Sequence, residues 1–137
     1  MTRPILLDTC AAIWISQGEP LAEAASTALA EVDDKVGAVV VSPITAWEIG
    51  ILVSRGRLAL SRDPVDWFAA LVAAGVELAP MAPNILIASS FLPGGALRDP
   101  ADRILAATAR SMNYRLMTRD QKLLDFGAAG HISVIPC

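Results

Sequence analysis

Short runs of branched apolar residues alternate with helix-like stretches along the whole chain, and this alternation limits the possible folds more than any single residue. Ile5 to Leu7 is an apolar run ending in Asp8, which reads as a first buried strand. Residues 20–33 are alanine-rich with spaced acids, the pattern of a helix. Ala38 to Val41, bounded by Gly37 and by Ser42 and Pro43, reads as a second strand. Pro43 opens a helix through Trp47 and Ile49 towards Val53, because proline suits a first helical turn. Asp63 and Pro64 start another, ended by Gly75. Val76 to Leu78 makes a third strand, and a proline-rich stretch reads as loop. Asp99 and Pro100 then open a long helix that stops near Asn113, and Asp120 can cap a last helix from Gln121. Arg115 to Thr118 and Ile132 to Ile135 complete the strands. The expected fold is a three-layer α/β sandwich with a central, mostly parallel sheet of about five strands flanked by helices.

The 137 residues suit one domain over 1–137, large enough to fold without disulfides or a structural metal. Apolar residues make up 54 % and charged residues 18 %, a balance expected of strands buried on both faces. The stretch Leu78 to Leu97 carries no charge, but Pro80, Pro83, Pro93, Gly94 and Gly95 interrupt it. A membrane-spanning helix needs about 20 predominantly apolar residues, so no membrane role is expected. The opening MTRPILLDTC reaches Asp8 before a signal-peptide core forms, and the expected location is the cytoplasm. Cys10 and Cys137 form no CxxC pair, which argues against zinc and gives no sign of an oxidising compartment. The net charge of −3 excludes a general polycation, so nucleic-acid binding must rest on local features.

Each conspicuous acid has an ordinary structural reading. Asp8, Asp99 and Asp120 are each placed to cap a helix, and Asp102 is a first-turn acid favoured by the helix dipole. Glu48 fits less easily. Its helical neighbours are Ile44, Thr45, Ile51 and Leu52, so its carboxylate is expected to be partly buried. A buried unpaired charge neutralises or finds a cation; either a metal ion or an arginine from elsewhere satisfies that need. In a parallel sheet the crevice lies beyond the carboxyl ends of the strands, where Asp8 and Asp120 fall. Asp102 and Glu48 can reach the same edge. Four converging carboxylates repel one another, and hard divalent ions such as magnesium or manganese relieve that repulsion. His131 reads as a strand-edge residue, and Cys10 as a small packing residue.

The chain resembles the VapC family of bacterial toxins, the PIN-domain endoribonucleases of type II toxin–antitoxin pairs. The resemblance rests on ILLDTCAAIW, VSPITAWEIGIL, LRDPADRILAATA and LMTRDQKLLDF, in that order over nearly the whole chain. It implies that Asp8, Glu48, Asp102 and Asp120 form the catalytic, metal-binding quartet for Mg²⁺ or Mn²⁺. It further implies that Thr9 and Thr118 orient those acids or touch a ligand, that Asp99 acts in their outer surroundings, and that Arg103 pairs with an acid or a phosphate. Many relatives carry a histidine shortly before DPxDR, where this chain has Gly94, Gly95, Ala96, Leu97 and Arg98. That departure bears on substrate contacts and leaves the acids untouched.

The implied reaction is hydrolysis of RNA phosphodiester bonds by a metal-activated water, leaving a 5′-phosphate and a 3′-hydroxyl. The implied partners are RNA, a small cognate antitoxin that wraps an apolar groove, and a second copy of the chain, with dimers pairing again through the antitoxin. Arginine outnumbers lysine nine to two, which suits bidentate phosphate contacts from Arg55, Arg57, Arg62, Arg98, Arg103 and Arg119. Trp14, Trp47 and Trp67 lie in apolar helical contexts and read as core or interface. Two other functions compete. A phosphatase of the haloacid dehalogenase kind wants a second Asp two residues after Asp8, where this chain has Cys10. A catalytically silent PIN-fold binding module would keep the fold and lose the chemistry, yet all four acids are present.

Overall fold

The computed structural model describes residues 2–137. Its elements run β1 (Ile5–Leu7), α1 (Thr9–Ser16), α2 (Glu23–Val32), β2 (Val39–Val41), α3 (Pro43–Ser54) and α4 (Pro64–Ala73), followed by β3 (Glu77–Leu78) and α5 (Pro83–Ala88). The chain then forms α6 (Pro100–Met112), β4 (Arg115–Thr118), α7 (Gln121–Ala128) and β5 (Ser133–Pro136). All four strand pairings are parallel, in the order β3-β2-β1-β4-β5. The chain moves outward from β1 through β2 to β3, then returns to the other side of β1 for β4. That reversal puts a switch point beside β1, and the crevice forms beyond the strand ends there.

Two differences from the sequence reading stand out. The stretch read as proline-rich loop contains α5, so the crossover from β3 to β4 carries two helices where one was read. Pro83 occupies the first turn of α5, where its missing N–H costs nothing, as Pro43 and Pro64 do in α3 and α4. The sheet is also wholly parallel among the described strands.

Both faces of the sheet are buried, and β1 shows why by its two-residue period. Ile5 and Leu7 point into one apolar cluster with Ala11, Val41, Ile49 and Met117. Leu6 points into the other with Val40, Leu105, Leu116 and Leu123. Helix ends are fixed by side chains at the carboxyl edge. The carboxylates of Asp8, Asp99 and Asp120 and the hydroxyl of Ser42 accept backbone N–H groups of the helices that follow. Asn113 adopts the left-handed conformation (φ 56°) that ends α6. No helix among the described residues is long and apolar enough to cross a membrane.

Candidate active site at the carboxyl edge of the sheet

Strand β1 delivers Asp8 to the carboxyl edge, where it is 5 % exposed. One carboxylate oxygen accepts the Ala11 N–H at 2.7 Å, and the other accepts the Thr118 hydroxyl at 2.5 Å. The Thr118 oxygen in turn accepts the Asp120 N–H at 3.0 Å. One buried hydroxyl at the end of β4 thus joins Asp8 to the backbone of Asp120. Asp120 uses one oxygen to cap α7. Its capping role and its nearness to Asp8 coexist.

A second hydroxyl relay holds Glu48. Thr9 donates to the Glu48 carboxylate through a short hydrogen bond. The single proton of Thr9 is thereby used, so the Thr45 hydroxyl donates to the Thr9 oxygen at 3.0 Å. Each threonine therefore holds an acid from another element: Thr9, beside Asp8 in the chain, holds Glu48, and Thr118, near Asp120, holds Asp8. Thr45 had no role in the sequence reading beyond lying one turn from Glu48. It is fully buried, and a hydroxyl at that spacing from a half-buried acid is the signal that was there to be found.

Asp102 lies in the first turn of α6, after Asp99, whose carboxylate accepts the N–H groups of Ala101 and Asp102. No donor among the described residues reaches the Asp102 carboxylate. Burial, followed by the charges of Asp99, Asp120, Glu48 and Asp8, pushes its pKa up to about 7. Burial raises Glu48 as well, with Thr9 pulling down and Asp99 and Asp8 pushing up. Asp8 is raised by burial against the lowering effect of its Thr118 and Ala11 hydrogen bonds. The acids from four elements are thus close enough to feel one another's charge. Among the described residues, however, no three His, Cys, Asp or Glu side chains stand close enough together to hold a metal ion as they are placed.

The chemistry of this donor set fits a hard divalent cation. It is all carboxylate, it is partly desolvated, and its mutual repulsion is what a cation would relieve. The Arg119 charge lowers Asp8, the last in order of the causes acting on it. Its guanidinium is engaged elsewhere, stacking 3.5 Å over the Trp14 ring and donating to the Cys137 carbonyl at 2.8 Å.

Cys10 corrects the sequence reading, because it is exposed instead of packed. Partial desolvation and then the charges of Asp8 and Glu48 push its thiol up to about 11, so it stays protonated near neutrality and offers no thiolate. Trp67 is buried and donates to Ser16 at 3.0 Å, whereas Trp47 is 56 % exposed on α3. His131 sits just before β5 with its ring 4.7 Å from that of Phe126, away from the acids. Arg103 follows Asp102 on α6 and borders a small surface pocket with Arg98.

A family model described as the PIN domain matches residues 5–129. The chain is a PIN-domain protein. Ribonuclease VapC22 of Mycobacterium tuberculosis is 32 % identical to it over 120 residues, 87 % of this chain and 88 % of that protein, which places this PIN domain in the VapC family. Its fold is that of a VapBC2 complex from Rickettsia felis bound to a promoter DNA fragment, with a TM-score of 0.68 at 14 % identity over 96 % of this chain and 97 % of that one. It is also that of DNA-bound VapBC from Salmonella typhimurium, with a TM-score of 0.65 at 18 % identity over 98 % of both chains. A toxin–antitoxin complex from Klebsiella pneumoniae gives 0.62 at 22 % identity, covering 96 % of this chain and 95 % of that one.

Proposed function

We propose that this PIN domain, acting as one unit over 1–137, is a metal-dependent endoribonuclease and the toxin of a type II toxin–antitoxin pair in the cytoplasm. The observation that carries the reading is that Asp8, Glu48, Asp102 and Asp120, from four elements, each feel the charge of another of the set at the carboxyl edge. Burial first, and then that mutual repulsion, raise the pKa values of Asp8, Glu48 and Asp102. The kinship with a protein named as a ribonuclease supports it.

In this reading the four carboxylates hold Mg²⁺ or Mn²⁺. A bound divalent ion supplies Lewis acidity, lowering the pKa of a water and stabilising charge that develops at phosphorus. The chain's own residues supply position. Thr118 keeps Asp8 turned towards Asp120, and the Thr45–Thr9 relay keeps Glu48 turned towards Asp8. No side-chain nucleophile is required, which accords with the protonated Cys10 thiol.

An open groove of 1210 Å³ supports the antitoxin part of the reading. It runs between α2, α4 and the β2–β3 edge, lined by Leu29, Val32, Val39, Trp67, Leu71 and Val76 among others. None of the four acids lines it. Trp47 on α3, Ile87 on α5 and Phe91 just after it are 56 %, 63 % and 80 % exposed. Both helices pack on α6, and such exposed apolar side chains support self-association. The competing reading, a silent binding module, draws on the spacing of the acids, no three of which stand close enough to hold an ion among the described residues.

The test is cleavage of a structured-RNA pool by antitoxin-free protein with Mg²⁺, Mn²⁺ or EDTA, with the product ends mapped. Metal-dependent cutting that leaves 5′-phosphates is the expected result. No cutting under any condition would remove the enzyme reading and leave the binding module.

A further inference from the structure

We propose that Arg98 and Arg103, with the Ser90 hydroxyl, form a phosphate subsite that grips a non-scissile phosphate of the RNA strand. The proposal deepens the ribonuclease reading and rests on it. The loop between α5 and α6 folds back on itself through Gly94 and Gly95, whose φ angles of 84° and 68° disfavour other residues. That reversal brings the loop against the start of α6 and encloses a pocket of 160 Å³. The volume corresponds to roughly five waters at ~30 Å³ each, enough for a phosphate group and its remaining hydration. Arg98, Arg103, Ser89, Ser90, Leu92 and Leu97 contribute to the wall, and no carboxylate does.

Most other arginines near the sheet are committed. Arg3 donates to Asn113 and Ser133, Arg110 to the His131 carbonyl, Arg115 to the Arg3 carbonyl and Arg119 to the Cys137 carbonyl. The Arg98 and Arg103 guanidiniums have no hydrogen-bond partner among the described residues. In particular, neither guanidinium bonds the Asp99 carboxylate, whose Oδ1 accepts two backbone N–H groups. Two free planar guanidiniums sharing one pocket suit bidentate capture of a phosphate. Ser89 gives its proton to the Leu86 carbonyl at 2.6 Å, so Ser90 is the hydroxyl left to donate.

Placement gives the pair its purpose. Arg98 precedes Asp99, and Arg103 follows Asp102, one of the acids that must meet the RNA. A polyanion approaching four carboxylates on a chain of net charge −3 is repelled. A cationic pair that flanks Asp99 and Asp102 in the chain, in a pocket that none of the four acids lines, offsets part of that repulsion as the strand approaches.

The experiment uses the full chain carrying Asp8→Asn, which binds without cutting, and a labelled single-stranded 20-nucleotide RNA of mixed sequence. Affinity is measured across a KCl series. Adding Arg98→Ala and Arg103→Ala together is expected to weaken binding at least tenfold and to reduce the slope of log affinity against log salt by about 1.4, two contacts at ~0.7 each. Arg103→Lys is expected to keep the slope and recover only part of the affinity. Lys35→Ala, a charge loss at the separate groove that Lys35 lines, is expected to leave the slope unchanged. A slope change per charge as large at Lys35 as at the arginine pair, or no change in either, overturns the subsite. If the parent chain cuts RNA but the arginine pair leaves the slope intact, the subsite alone fails. Should the slopes behave as expected while the chain with native Asp8 never cuts, the subsite stands and the ribonuclease reading fails.

Discussion

Thr118 does two things at once, and both follow from a hydroxyl having one proton and two lone pairs. It donates to Asp8 and accepts from the Asp120 backbone, with no exposed surface. Thr118→Val keeps the shape and removes both bonds. Losing an outer partner of a ligating carboxylate commonly costs 10–100-fold, so cleavage is expected to fall by about tenfold or more while Thr118→Ser retains most of it. Equal activity in the two variants would show that the hydroxyl positions nothing. Asp102 makes a different prediction. Its carboxyl, held up to about 7 against an ordinary 3.8, binds its proton more tightly in the folded than in the unfolded chain. Its contribution to stability is therefore complete below pH 3.8 and is lost as pH rises through about 7. Denaturant midpoints of metal-free protein are expected to fall over that window. Asp102→Asn is expected to flatten the fall, and Mg²⁺ to oppose it. An unchanged profile in the variant would contradict the placement of Asp102 among like charges.

Among the elements, α7 and β5 show how closely the layers approach. A Cβ on Gly127 would lie 2.6 Å from one Val134 methyl and 2.8 Å from the other. Gly127→Ala is therefore expected to destabilise the chain by ~1–3 kcal/mol despite alanine's better helix propensity. Val134→Ala in the same chain is expected to recover part of the loss, and thermal unfolding of the three variants decides it. The chain's pattern announces β1, β2, β4 and the long α6 because each has strong local punctuation: Asp8, Gly37 with Pro43, Asn113 and Asp120. It hid α5, because a proline that opens a short helix and a proline that keeps a loop extended look alike until the following residues pack. Ile85 does pack, at 2 % exposure. Asp8, Asp102 and Asp120 were readable from their places at strand and helix ends, and the partial burial of Glu48 from its apolar neighbours within α3. The crossed pairing of Thr9 with Glu48 and Thr118 with Asp8 was not, since it depends on α1 meeting α3 and on β1 lying beside β4. The exposure of Cys10 was hidden for the same reason. An α1 residue beside a buried aspartate faces in or out according to the helix's rotation, which the neighbours set.

At the scale of the whole molecule, acids gather at one end of the sheet, and the apolar groove and the exposed Trp47, Ile87 and Phe91 lie elsewhere on the surface. Under the proposed function, this division assigns RNA cutting, self-pairing and antitoxin binding to separate surfaces. Trp47→Lys with Phe91→Lys is expected to shift purified antitoxin-free protein towards monomer in sedimentation without unfolding it, since neither side chain belongs to the core. An unchanged oligomeric state would move the self-association surface elsewhere. The most direct test of the account is single-turnover cleavage of one RNA by the wild type and by Asp8→Asn, Glu48→Gln, Asp102→Asn and Asp120→Asn, in saturating Mn²⁺. The account expects cutting by the wild type alone, with each variant reduced by several orders of magnitude and still folded. Full activity in any folded variant would contradict the shared metal site.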